Sequence, residues 1–134
     1  MRHGGSKASL RCLIVEDDEL QTKELTGLLA ELRHSVVGTA ATVDDALRIA
    51  EDAEIDVAII DLSLKGHGFG GDVAELLLRR GGVPSVVLSA YLTLENRDAL
   101  RSLGVTALIS KPLDPAVLDM VLDRIGERAE TISA

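Results

Sequence analysis

Val57-Ala58-Ile59-Ile60-Asp61 runs four apolar residues straight into a carboxylate, and Cys12-Leu13-Ile14-Val15 does the same into Glu16-Asp17-Asp18. Continuous apolar runs of this length, rich in β-branched residues, suit strands buried on both faces, as in parallel sheets. If the two strands lie side by side, three or four acid groups meet at one rim. Two carboxylates about 4 Å apart repel by roughly 4 kcal/mol at an effective dielectric near 20. The rim must therefore protonate, bind a cation or borrow a lysine. Lys111, at the end of a further apolar run, is placed to be that lysine.

Short apolar runs recur at Leu13 to Val15, Val36 to Val37, Val57 to Ile60, Val86 to Leu88 and Ala107 to Ile109, each separated by room for a helix and two loops. This spacing predicts a β-α unit repeated five times. Helical stripes fill the intervals: Leu25, Leu28, Leu29 and Leu32; Val43, Ala46, Leu47 and Ala50; Val73, Leu76 and Leu77; and Leu118, Val121, Leu122 and Ile125. Asp18 with Gln21, Thr42 with Asp45 and Asp72 with Glu75 have capping-box spacing, and Asp114 precedes Pro115 at a helix start. The segment Thr93 to Ser102 has a thin apolar stripe, so it is expected to be the most mobile helix. Right-handed crossovers then give a doubly wound α/β sandwich with a five-stranded parallel sheet, for which the order 2-1-3-4-5 is adopted. In that order the acid-tipped strands 1 and 3 flank the switch point where ligands bind.

The chain has 134 residues, one domain's worth, with one Tyr and one Phe, so Leu, Ile, Val and Ala must fill the core. A net charge of −8 opposes direct contact with nucleic acid. Cys12, the lone cysteine, reads as a small buried residue rather than a reactive thiol. No apolar stretch has the length of a signal peptide core or a membrane span, and a cytoplasmic location without membrane contact is expected.

Taken together, LIVEDDE (13–19), IIDLSL (59–64), VVLSA (86–90) and ISKP (109–112) resemble the receiver domain of two-component response regulators, over roughly Leu10 to Ile125. The resemblance implies a flavodoxin-like three-layer sandwich and a stand-alone receiver: an extension at 1–9, the receiver domain at 10–128 and a tail at 129–134. It implies that Asp61 accepts a phosphoryl group from a phosphohistidine of a histidine kinase or phosphotransfer protein. It further implies Mg²⁺ as cofactor, held by Asp17 directly, Glu16 through water, Asp61 and the backbone carbonyl of Ser63, a hard oxygen set that suits this ion. Lys111 would pair with Asp61 and then with the phosphoryl oxygens, and the Lys111–Pro112 bond is a candidate cis peptide. The Ser89 hydroxyl would donate to the phosphoryl group as the switch. Such a bond contributes roughly 1.5 to 3 kcal/mol, whereas near-complete reversal of a two-state equilibrium needs about 5.5 kcal/mol, so Ser89 needs help.

The chain departs from the family at several places. Glu16 stands where Asp is frequent, Leu113 where Phe is frequent, and Leu108 where a Tyr or Phe usually couples to the switch hydroxyl. Output is therefore expected to run through the Thr93 to Ser102 helix or Tyr91, toward a separate effector protein. A homodimer through the fourth and fifth helices is a family-level option. Lys65 to Gly71 reads as a glycine-rich loop without the Gly-Lys-Ser/Thr of a P-loop, and His67 as a solvated loop histidine. The expected role is a signalling switch that dephosphorylates itself slowly, not a turnover enzyme. The rivals are a Mg²⁺-dependent aspartyl-phosphate phosphohydrolase, disfavoured by Ser63 where a second Asp is usual, and a pseudo-receiver that binds partners without phosphorylation. A flavin carrier would want more aromatic rings than the chain has.

Overall fold

The structure, a computed structural model, describes residues 8–62 and 67–133. The elements alternate as β1 (Arg11–Val15), α1 (Glu19–Glu31), β2 (Ser35–Ala40), α2 (Val43–Asp52), β3 (Val57–Leu62), α3 (His67–Gly81), β4 (Ser85–Ser89), α4 (Leu94–Ser102), β5 (Ala107–Ser110) and α5 (Pro115–Ser133). All strand pairs are parallel and the order is β2-β1-β3-β4-β5, as the sequence predicts. The last helix continues past 128, where the sequence reading begins a tail.

Side-chain alternation divides the core into two layers. Leu13, Val15, Ala58, Ile60, Leu62 and Val87 pack with α2, α3 and α4, while Cys12, Ile14, Val57, Ile59, Val86, Leu88 and Ile109 pack with α1 and α5. The inner strands are buried on both faces, which is why they read as unbroken apolar runs. Burial in the α1/α5 layer also pushes the Cys12 thiol up to about 12, so it stays protonated and packs as a small apolar group.

Three of the capping sites are formed. Asp18 accepts from the Gln21 N–H at 3.0 Å, Thr42 from the Asp45 N–H at 3.1 Å, and Asp114 from the Ala116 N–H at 2.9 Å. The fourth is a correction: Asp72 is an exposed residue within α3, which starts five positions earlier, at His67. The glycine-rich stretch is thus helical from His67 on, although each interior glycine costs about 1 kcal/mol relative to alanine. Packing decides against propensity here, because a Cβ on Gly71 would stand 2.7 Å from Leu103 Cδ1, and Val73, Ala74 and Leu77 bury beyond it. Ser63, Leu64, Lys65 and Gly66 lie outside the described residues.

The end of α1 fixes how β1 meets β2. Arg33 takes a left-handed φ of 70°, so that its N–H reaches the Ala30 carbonyl and the His34 N–H reaches that of Leu29, a Schellman arrangement. This turn delivers buried His34 to β1, where Nδ1 accepts from the Leu10 N–H at 3.0 Å. Arg33 is exposed, and a non-glycine residue in this conformation costs roughly 1 kcal/mol. Arg33→Gly is expected to raise stability by about that amount, read as a higher urea midpoint at unchanged slope.

Candidate functional site

β1 and β3 run in register with Val15 opposite Ile60, so Glu16 and Asp61 are each the next residue along. Alternation turns both away from the α2/α3/α4 layer: Val15 and Ile60 pack there, and their successors face α1 and α5. Two acids thus share one corner, held by backbone pairing rather than by their own attraction. The Asp61 side chain is only 7% exposed and forms an ion pair through Oδ1 with Lys111 Nζ, from the turn after β5. The Lys111 N–H donates to the Ser89 carbonyl at 2.9 Å, continuing the β4–β5 ladder past Ser110. The Lys111–Pro112 bond is cis, as the resemblance implies.

Glu16 is buried, with Oε1 accepting from the Asp18 N–H at 3.1 Å and Oε2 making no hydrogen bond among the described residues. Burial, then the charges of Asp61 and Asp17, push its carboxyl up to about 7, against the pull of the Asp18 amide and Lys111. Asp17, expected as the direct metal ligand, is exposed at the rim. Ser63, whose carbonyl completes the expected set, lies outside the described residues. Among the described residues no three His, Cys, Asp or Glu side chains form a group able to hold a metal ion; Lys111 is the cation that faces Asp61. The donor chemistry nevertheless fits a hard cation: a buried carboxylate oxygen without a partner among the described residues, beside a second carboxylate, all oxygen, with the charge of exposed Asp17 close enough to act on Glu16.

Ser89 is buried at the end of β4, one position past Leu88, which pairs with Asp61. Its Oγ accepts from the Tyr91 N–H at 3.1 Å, and the Tyr91 carbonyl accepts from Asn96 Nδ2 at 2.9 Å. The hydroxyl is therefore tied to the segment entering α4, whose N-cap Thr93 accepts from the Asn96 N–H. Tyr91 is 55% exposed and Leu94 is 82% exposed. Leu108 is half-buried against the α2/α3/α4 layer, and Leu113 packs against the α1/α5 layer. Two participants are absent from the sequence reading. Asn96 is one, and Gln21, read only as a cap residue, is the other: its Oε1 accepts from Lys111 Nζ at 2.9 Å. No sequence signal names Gln21, since the contact joins residues ninety apart. Asp61 lines a cleft of about 390 Å³ whose walls also include Gln21, Leu25 and Leu28 of α1 and Lys111, Pro112 and Leu113 after β5.

The family model described as response regulator receiver domain matches residues 12–123. The chain belongs to the receiver-domain family. Among curated relatives, the photosynthetic apparatus regulatory protein RegA of Cereibacter sphaeroides is 37% identical over 116 residues, 86% of this chain and 62% of RegA. The phyllosphere-induced regulator PhyR of Methylorubrum extorquens is 32% identical over 117 residues, 84% of this chain and 42% of PhyR. The receiver thus spans only part of these relatives' lengths. Among solved structures, the signal receiver domain of a modulated diguanylate cyclase from Desulfovibrio desulfuricans superposes with a TM-score of 0.80 at 22% identity, covering 95% of this chain and all of that one. The receiver domain of a sensor histidine kinase from Pseudomonas aeruginosa, described with a magnesium ion coordinated in its active-site cleft, gives 0.75 at 25% identity over 89% of this chain and 99% of that one. The fold is thus the flavodoxin-like receiver fold. Among the described residues of this receiver, no helix is long and apolar enough to cross a membrane.

Proposed function

We propose that this receiver is a phosphorylation switch in which Asp61 takes a phosphoryl group from a phosphohistidine of a histidine kinase or phosphotransfer protein. The observation that carries this reading is the Asp61–Lys111 ion pair in the wall of the cleft, with Glu16 buried beside it. A carboxylate oxygen of Asp61 attacks phosphorus in line, the P–N bond breaks, and its electron pair leaves with the imidazole, giving an acyl phosphate. Lys111 follows the charge from the carboxylate to the phosphoryl oxygens, stabilising the planar transition state. Glu16, Asp17, Asp61 and the Ser63 carbonyl would hold Mg²⁺, which when bound supplies further charge neutralisation. Phosphorylation calls the Ser89 hydroxyl toward the new oxygens and away from the Tyr91 N–H. The Tyr91–Asn96 contact carries that change to α4 without an aromatic at Leu108, and exposed Tyr91 and Leu94 form the surface an effector reads.

Intact mass after incubation with a small acyl phosphate and Mg²⁺ tests this. One added phosphoryl group is expected, absent in Asp61→Asn and absent with chelator. Steady release of inorganic phosphate at many turnovers would instead indicate a phosphohydrolase, and an unmodified chain a pseudo-receiver.

A further inference from the structure

A capping box satisfies two backbone donors: the N-cap side chain takes the N3 N–H, and the N3 Glu or Gln side chain reaches back to the N-cap N–H. In α1 only the first half is made this way. Asp18 accepts from the Gln21 N–H, but the Asp18 N–H is taken by Glu16 Oε1. Gln21 is thereby released from its usual bond, and its amide oxygen turns instead to Lys111 Nζ. The result is a continuous chain of contacts, Glu16 to Asp18 to Gln21 to Lys111 to Asp61, that joins β1, α1, the turn after β5 and β3 around the acids.

We propose that Gln21 is a positioning residue for phosphoryl transfer, holding the Lys111 ammonium at the wall of the cleft so that it points at the incoming group. This rests on the reading of Asp61 as phosphoacceptor. An ammonium has three donors on a flexible stem. Asp61 takes one and Gln21 a second, which fixes the direction of the third. Without Gln21, Lys111 pivots about its single contact with Asp61, and reaching the transition state requires ordering it anew. The amide oxygen is neutral, so it orients the lysine without competing for its charge as a carboxylate would.

The test uses the whole chain and three proteins: wild type, Gln21→Met, which keeps length and helix propensity but has no amide acceptor, and Gln21→Glu, which keeps an acceptor. The lysine ammonium resonances of ¹⁵N-labelled unphosphorylated protein, with Lys111 assigned by its loss in Lys111→Arg, report the contact directly. A slowly exchanging Lys111 signal is expected in wild type and Gln21→Glu and its loss in Gln21→Met. Mass-detected modification by a small acyl phosphate with Mg²⁺ is expected to be about tenfold slower in Gln21→Met, the scale of one hydrogen bond to a charged group. A Lys111 signal unchanged in Gln21→Met, or modification of that variant at the wild-type rate, overturns the inference. If wild type itself takes no phosphoryl group, the functional reading fails, and the ammonium comparison still decides whether Gln21 holds Lys111.

Discussion

Lys111→Met is expected to lower folding stability by on the order of 2 kcal/mol near neutral pH, while Asp61→Asn changes it little or raises it. The two partners sit in different surroundings: the Asp61 side chain is 7% exposed and beside Glu16, whereas that of Lys111 is 26% exposed and also bound to Gln21. Removing the lysine strands a buried carboxylate next to a second acid. Removing the carboxylate leaves a lysine that still has an amide partner and water, and it relieves the repulsion on Glu16. The partial exposure of Lys111 puts the loss below that for a fully buried pair. Urea unfolding of the two single variants and the double variant checks this. The double variant should recover most of what Lys111→Met loses; equal, additive losses from both single changes would show that the ion pair does not carry the corner's electrostatics.

Glu16→Gln is expected to stabilise the protein by about 3 kcal/mol above pH 7, with the gain vanishing near pH 4. The sign follows from the direction of the shift. Burial, Asp61 and Asp17 raise the carboxyl of Glu16 from 4.5 to about 7 in the folded chain. Below 4.5 both folded and unfolded chains hold the proton and nothing is lost. As pH climbs from 4.5 to 7 the unfolded chain releases it first, so folding becomes steadily less favourable; above 7 the penalty is complete. The amide removes that penalty and retains an acceptor for the Asp18 N–H. Unfolding followed from pH 4 to 8 should show the variant and wild type converging at the acid end. A pH-independent difference would mean that packing, not charge, sets the cost of Glu16.

A cation bound at a corner that holds two buried acids against one lysine would stabilise it, so ion binding and folding would be linked there. The stability cost and the oxygen-rich corner are two consequences of one arrangement, since backbone pairing of β1 with β3 brings the acids together.

The sequence determined the strands, their parallel order and the acid corner. Once the two apolar runs are read as strands, backbone geometry makes Val15 and Ile60 point one way and Glu16 and Asp61 the other. Lys111 was legible for the same reason, as the polar end of an apolar strand. The start of α3 was not, because glycines at 68, 70 and 71 signal a loop to any local reading, and the burial of Val73, Ala74 and Leu77 that outweighs them exists only in the folded chain. Nor were the side-chain partnerships legible: whether Gln21 closes its own cap or reaches Lys111, and whether the Ser89 hydroxyl meets the Tyr91 amide, depends on which donors the fold leaves unclaimed. Periodicity is a property of neighbours along the chain, while hydrogen-bond partners are allotted in competition among groups that meet only after the sheet has formed.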